Sequence, residues 1–373
     1  MRRIFCLFFL LGFILTVQAQ EADSALITDA YRQVLLYEGP GITYREAGLL
    51  YPGVAVQIVE RNAIGNWLHI ERIADNQVMQ DGWLLSAYLN LSPELHFSDV
   101  PVNTALADAA PENVTSQSMA ELYKLPVIPI ISDAMIAVFE HGQTLGNHPQ
   151  VITKIGDSLS KSEQYIDIFS ADTYVLGAYD YLEATLLYYR DSTAEESVAA
   201  QIGLTTYVVF DPFWATDKRC EANESPLHCE YRLRRPAVAF ILFGPNDVRH
   251  MTDGEFEGQM RQLIDETVAE GIIPVLSTFS VHPDDALFWQ AINFNLRIKK
   301  LSEEYEIPAI NLWAAAQPLP DYGLDEDHIH LLPTGFSFLK YDSGLESFSG
   351  ISLQNLLVLR TLYEIRLKLG IED

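Results

Sequence analysis

The chain has 373 residues, of which 49% are hydrophobic and 20% charged, enough for two domains with large buried cores and incompatible with wholesale disorder. Lys and Arg number 24 against 51 Asp and Glu, a net charge of -27. That balance speaks against a nucleic-acid binder, which needs a basic surface, and against docking on anionic lipid.

Arg2 and Arg3 precede an apolar run over residues 4–17 that leads into Val17-Gln18-Ala19. A basic start, a short apolar run and small residues at a cut site predict a secretory signal, with cleavage after Ala19. The run falls short of the roughly 20 apolar residues of a spanning helix, and an uncleaved anchor is the alternative. The expected location is secreted or associated with the cell envelope, with no membrane span after cleavage. Cys6 leaves with the signal, so Cys220 and Cys229 remain as an even pair. In an exported chain such a pair predicts a disulfide, here stapling a polar surface loop; two buried free thiols are the alternative. No second Cys/His pair stands nearby at zinc spacing, so neither a metal nor a cofactor is expected.

Residues 28–90 read as short strands punctuated by turns, with β-rich stretches at 54–59 and 67–70. Such spacing over about 65 residues suits a small all-β barrel. The order Gly39-Pro40-Gly41, Tyr44, Tyr51-Pro52-Gly53, Gly65-Asn66-Trp67, Gly82-Trp83 and Ala87-Tyr88-Leu89 resembles a bacterial Src-homology-3-like (SH3-like) domain over residues 24–92. Tyr37 and Glu38 stand where that family often has Arg-Ser. The resemblance implies a possible cell-wall peptide or glycan ligand, or simple packing against a neighbour. Trp67 and Trp83 read as core or groove wall. Residues 93–125, with Pro93, Pro101, Pro111 and many small polar residues, read as a linker, and Asn113-Val114-Thr115 fits a glycosylation sequon.

From residue 126 strands alternate with helices. Strands are expected at 151–155, 238–243, 272–276 and 307–312. Helices are expected at 173–189, from Thr252 through a Thr252/Glu255 capping box to Gly271, from Asp284 or Asp285 onward, and at 353–369. The pattern predicts a parallel sheet covered on both faces, with active residues in loops at the carboxyl ends of strands.

Three such loops carry chemistry. Gly156-Asp157-Ser158 can present a hydroxyl at the sheet edge; Asn246, in Gly244-Pro245-Asn246-Asp247, can donate to an oxyanion; and Asp327, three residues before His330, can orient that imidazole. Singly each reads as a turn, cap or surface residue, but together they form a set. With Gly156-Asp157-Ser158-Leu159-Ser160, Gly244-Pro245-Asn246-Asp247 and Asp327-His328-Ile329-His330, the chain resembles the SGNH or GDSL hydrolases over roughly residues 150–335. That resemblance implies an α/β fold, a three-layer α/β/α flavodoxin-like domain over residues 126–373. It implies Ser158 as nucleophile, His330 as general base and Asp327 as its orienting partner. The amides of Ser158 and of a second-block glycine, with the Asn246 side chain, would be the oxyanion donors.

Gly203, in Gly203-Leu204-Thr205-Thr206 after a short strand at 198–202, fits the second block best, and Gly177 is its rival. His328 is the rival base. His250 and His282 either line the cleft or serve as surface or capping residues, and Asp157 holds its loop by hydrogen bonds. The expected activity is carboxylic ester hydrolysis, with O-acetyl groups on glycans suggested by export and the barrel. A catalytically inactive wall- or glycan-binding protein and an acyltransferase are the alternatives.

Overall fold

Short alternating stretches at the start of the chain form an antiparallel sheet of β1 (Ile27–Asp29), β2 (Val34–Tyr37), β3 (Glu46–Leu50), β4 (Ala55–Arg61), β5 (Trp67–Ala74) and β6 (Gln77–Leu85), in the order β1-β4-β5-β6-β2-β3. This is a computed structural model that describes residues 24–75, 77–106, 110, 114–334 and 339–371. The signal expected at 1–19 with Cys6, Asn113 of the sequon, and Gly335 lie outside the described residues. Trp67 and Trp83 are 1% and 2% exposed and form a small core with Leu85; Tyr37 meets Trp67 edge-on at 5.8 Å. Both indoles are thus packing groups. The Gly39-Pro40-Gly41 edge and Tyr44 face Tyr123, Ala314 and Pro318 of the same chain.

The stretch 93–125, expected as a linker, is instead packed at both ends. Leu95, Phe97 and Val100 are buried, the Phe97 amide donates to Ala178 O (2.9 Å), and the buried Arg61 guanidinium donates to Phe97 O (2.6 Å) and Ala63 O (2.9 Å). Helix α1 (Gln117–Leu122) follows, with Leu122, Tyr123 and Leu125 in the core. Prolines and small residues dominate its composition, but these apolar anchors dock it.

The second sheet is parallel, in the order β10-β9-β8-β7: β7 (His148–Gly156), β8 (Pro236–Leu242), β9 (Ile273–Ser277) and β10 (Ala309–Ile310). Every residue of β8 and β9 is buried, as strands covered on both faces must be. The covering helices are α2 (Ala134–Leu145), α3 (Ser158–Lys161), α4 (Glu183–Tyr189), α5 (Pro226–Arg234), α6 (Asp253–Ala269), α7 (Phe288–Tyr305), α8 (Leu312–Ala316) and α9 (Gly350–Leu369). The Thr252/Glu255 capping box opens α6. None of the described helices is long and apolar enough to cross a membrane.

Several elements differ from expectation for local reasons. The helix expected at 173–189 is broken: Gly177 (φ 58°) and the non-helical Tyr179 leave a 3-10 segment, Gly177–Leu182, before α4. The strand expected at 307–312 shrinks to β10 because the Asn311 side chain turns the chain into α8, accepting from the Ala314 amide and donating to Leu122 O and Leu125 O. The strand expected at 198–202 is a single parallel bridge, Gly156 to Ala200, held by Gly156 N to Ala199 O (3.0 Å) and Gln201 N to Gly156 O (3.1 Å). Helix α7 starts at Phe288, after a turn at 284–287.

Cys220 and Cys229 are disulfide-bonded, with their Cα atoms 5.2 Å apart. The bond staples the exposed turn at 221–223 onto α5, where Cys229 is buried and whose N-cap Ser225 lies between the two cysteines. Glu224 stands beside them, but both sulfurs are committed to each other and leave no thiolate for a metal.

Between the two units lies a crevice of about 440 Å³ lined by Ala87, Leu91, Phe97, Tyr179, Asp342 and Glu346. Glu346 is 1% exposed; burial pushes its carboxyl up to about 7, with only the Tyr179 hydroxyl and a backbone amide opposing. The unfolded chain ionises at its ordinary value while the folded protein keeps the proton, so stability falls as pH rises between those two values. Glu346→Gln is therefore expected to raise stability at pH 8, by an amount on the order of 3 kcal/mol at most, and to bring no gain near pH 4. Urea unfolding at both pH values checks this; an equal effect at both would refute the buried-acid explanation.

Candidate active site

Strand β7 runs into Gly156, where a Cβ would lie 2.1 Å from Leu242 O and 2.4 Å from Ser160 Oγ, so the tight approach to β8 admits only glycine. Asp157 then caps α3, its Oδ1 accepting from the Leu159 amide (2.9 Å). The turn leaves Ser158 partly exposed above the sheet end. Lys154, buried on β7, anchors the far side of the loop: its Nζ donates to Ser162 O (3.1 Å) and Tyr165 O (3.0 Å) and pairs with Asp167 (2.7 Å).

The histidine arrives from the other end of the chain on a closed loop. Leu324 bridges Leu331, Asp325 N donates to His330 O (2.8 Å), and Leu332 N donates to Gly323 O (2.8 Å). Within it Asp327 Oδ1 accepts from the amides of Ile329 (2.9 Å) and His330 (2.8 Å), which aims Oδ2 at His330 Nδ1 (2.6 Å). His330 Nε2 lies 2.9 Å from Ser158 Oγ. Burial works against the Asp327 charge, but the His330 side chain and the two amides prevail and hold its carboxyl at about 2. An ionised Asp327 takes the Nδ1 proton as its hydrogen bond, which leaves the Nε2 lone pair facing the Ser158 hydroxyl. The loop is exposed, with the side chains of His330 and Asp327 about half accessible.

His328 has no hydrogen bond to Ser158. Its backbone is left-handed (φ 56°) and its ring stacks on His282, centroids 4.0 Å apart. His282 thus packs against the histidine loop, and His250 lines a cleft next to Gly203.

Register brings the remaining groups to the same rim. Gly156 pairs with Leu242 on one side and Ala200 on the other, so Ser158, Asn246 and Gly203 all lie a few residues past one rung. At Gly244 a Cβ would meet the Phe279 ring at 2.1 Å, so glycine is again required where β8 turns. The Gly203 amide donates to no described residue, and neither does that of Ser158, the first residue of its helix. Among the described residues the Asn246 side-chain amide reaches only a long 3.5 Å contact with Leu204 O, next to Gly203. Gly177 does not belong here: it packs on Asp342 at the crevice between the two units.

Two residues that sequence reasoning missed hold this rim together. Asp247 accepts from Thr206 N (2.8 Å), Thr206 Oγ1 (2.6 Å) and Gly244 N (3.1 Å), tying the β8 loop to the Gly203 segment. Glu230 does the same one rung back, accepting from the Val198 amide (2.7 Å) and the Thr153 hydroxyl. Asn246-Asp247 was visible as a dipeptide; nothing local marks a partner 41 residues away. Burial pushes the carboxyls of Asp157 and Asp247 up, Asp157 to about 7, where the Leu159 amide opposes and the Asp247 charge adds.

A hydroxyl, an imidazole and a carboxylate in hydrogen-bonded series, beside free amide donors, can move a proton off the hydroxyl and receive negative charge on a bound carbonyl oxygen.

No family model and no curated protein matches the chain. Among solved structures, a GDSL-like lipase from Bacteroides thetaiotaomicron is 11% identical, with 62% of this chain and 99% of that one covered and a TM-score of 0.35. An acetylxylan esterase from Geobacillus stearothermophilus is 16% identical over 61% of this chain and 96% of its own, with a TM-score of 0.34. A psychrotrophic esterase from a Pseudoalteromonas species is 15% identical over 59% and 99%, with a TM-score of 0.35. Likeness at this level leaves the question of activity to the geometry of Ser158, His330 and Asp327.

Proposed function

We propose that this protein is a serine hydrolase of carboxylic esters, of the SGNH type. The observation that carries the reading is the unbroken series Ser158 Oγ to His330 Nε2 (2.9 Å) and His330 Nδ1 to Asp327 Oδ2 (2.6 Å). His330 Nε2 takes the Ser158 proton as Oγ attacks the ester carbonyl carbon. The amides of Ser158 and Gly203 and the Asn246 side chain hold the oxyanion. Collapse breaks the bond to the leaving oxygen, which takes the proton from His330 and departs as the alcohol. Water then attacks the acyl-Ser158 carbonyl with His330 again as base, and the carboxylic acid leaves as Ser158 regains its proton. Asp327 stabilises the transient imidazolium and fixes its tautomer.

In this reading residues 126–373 form the hydrolase domain. Residues 24–92 form an SH3-like barrel on an exported, envelope-associated protein acting on acylated glycan. Pro40 and Gly41 of that barrel line a hollow shared with Tyr123, Ala314 and Pro318 of the same chain.

Turnover of 4-nitrophenyl acetate tests the assignment of the base. His328→Ala is expected to retain most of the wild-type rate, because its ring stacks on His282, whereas His330→Ala is expected to lose it. Activity that survives in the His330 variant and vanishes in the His328 variant would overturn the assignment.

A further inference from the structure

A cleft of about 510 Å³ opens beside Gly203, walled by Tyr207, Trp214, His250, Met251 and Gln259. It shares His250, Met251 and Glu255 with a second hollow of about 470 Å³ that runs on to Leu287 and Gln290, so the two form one groove leading away from the candidate oxyanion glycine. A cavity of this size lies in the roughly 300–1,000 Å³ range of small-molecule sites and far exceeds the needs of an acetyl group.

Its walls are of two kinds. A Cβ on Gly203 would lie 4.0 Å from Trp214 Cη2, so the bare glycine faces the indole directly. Trp214 is held in place: its amide donates to Asp211 O (3.0 Å), its carbonyl accepts from Gln201 Nε2 (3.2 Å), and Asp211 caps the turn through the Phe213 amide (2.9 Å). Tyr207 is 64% exposed, a large ring left open to solvent at the rim. Facing the rings are the His250 imidazole and the Gln259 amide, neither hydrogen-bonded to another described side chain. The Glu255 carboxylate is already engaged by Thr252.

Most of the lining is apolar, Val208 and Met251 beside the two rings, and the His250 and Gln259 side chains interrupt it, which suits a ligand with apolar faces and polar edges. Ring faces beside uncommitted donors and acceptors suit a pyranose, which offers C–H faces to aromatic rings and hydroxyls at its edge. The charged groups along the groove are Glu255 and Arg249, one of each sign, so a neutral sugar fits it. We propose that this groove is the saccharide subsite of the enzyme, with Trp214 and Tyr207 as platform and His250 and Gln259 as hydroxyl partners, so that the substrate is a neutral O-acylated oligosaccharide. The proposal rests on the esterase reading and names what that site selects.

The test compares wild type, Trp214→Ala and Tyr207→Ala on chemically O-acetylated cellotetraose and chitotetraose, on 4-nitrophenyl acetate, and on 4-nitrophenyl decanoate. The ratio of kcat/KM for the better oligosaccharide over that for 4-nitrophenyl acetate is expected to fall about tenfold or more in the Trp214 variant, through KM. An unchanged ratio would overturn the proposal, as would a selective loss on the decanoate, which would make the groove an acyl-chain site. Calorimetric titration of Ser158→Ala with the unacetylated tetrasaccharides separates the two readings. If no ester is turned over, the esterase reading fails; sugar binding lost on adding Trp214→Ala would still support the subsite, and no binding would end it.

Discussion

Ser158→Ala is expected to lower kcat/KM for 4-nitrophenyl acetate by a factor on the order of 10⁴ or more, with the circular dichroism spectrum and melting temperature of the wild type retained. The reason for the first part is that the hydroxyl is the group that His330 deprotonates for attack on the ester carbonyl. The reason for the second is that Ser158 is partly exposed and, among the described residues, its Oγ bonds only to His330, itself half accessible. Removing the oxygen strands no buried partner. The turn that presents it is built by Gly156 and the Asp157 cap, both untouched. A variant that kept most of its turnover would remove Ser158 from the mechanism; one that lost activity by unfolding would show that the hydroxyl is structural.

Asn246→Ala carries the next largest expected effect, a loss of about 10²–10³ in kcat with a small change in KM, as for removal of one oxyanion donor, roughly 3 kcal/mol. The side chain is available for this work because the loop is held by its neighbour: Asp247, not Asn246, binds Thr206 and Gly244. Among the described residues the Asn246 side-chain amide spends only a 3.5 Å contact on Leu204 O, which a developing oxyanion displaces easily. Stability should therefore change little. Steady-state kinetics decide it: a raised KM with kcat unchanged would mean that Asn246 binds ground state and transition state alike and is no oxyanion donor.

Much of this site is legible in the sequence because its parts are local. Gly156, Asp157 and Ser158 form one turn, and Asp327 reaches His330 across three residues, so short-range geometry already dictates a strand-end hydroxyl and an oriented imidazole. What holds the parts in register is not local. Thr206 meets Asp247, Val198 meets Glu230 and Lys154 meets the 162–167 loop through buried polar contacts that leave no periodic trace. The strand expected at 198–202 failed for the same reason: side chains and one bridge hold that segment, with no ladder. Composition misread 93–125, where the buried apolar residues at its two ends, Leu95, Phe97 and Val100, then Leu122, Tyr123 and Leu125, outweigh the small and polar ones between. At 307–312 the β-rich pattern was right, but the Asn311 side chain stopped the strand after two residues.

Covalent labelling bears most directly on the catalytic assignment. Incubation of the folded protein with a fluorophosphonate, tryptic digestion and mass spectrometry are expected to show one phosphonylated serine in the peptide 155–161, which carries both Ser158 and Ser160. Fragment ions should place the adduct on Ser158, since Ser160 is fully buried, and prior His330→Ala substitution should abolish it. An adduct on Ser160 or on any other residue, or no adduct at all on the folded wild type, would contradict the proposal that Ser158 is an activated nucleophile.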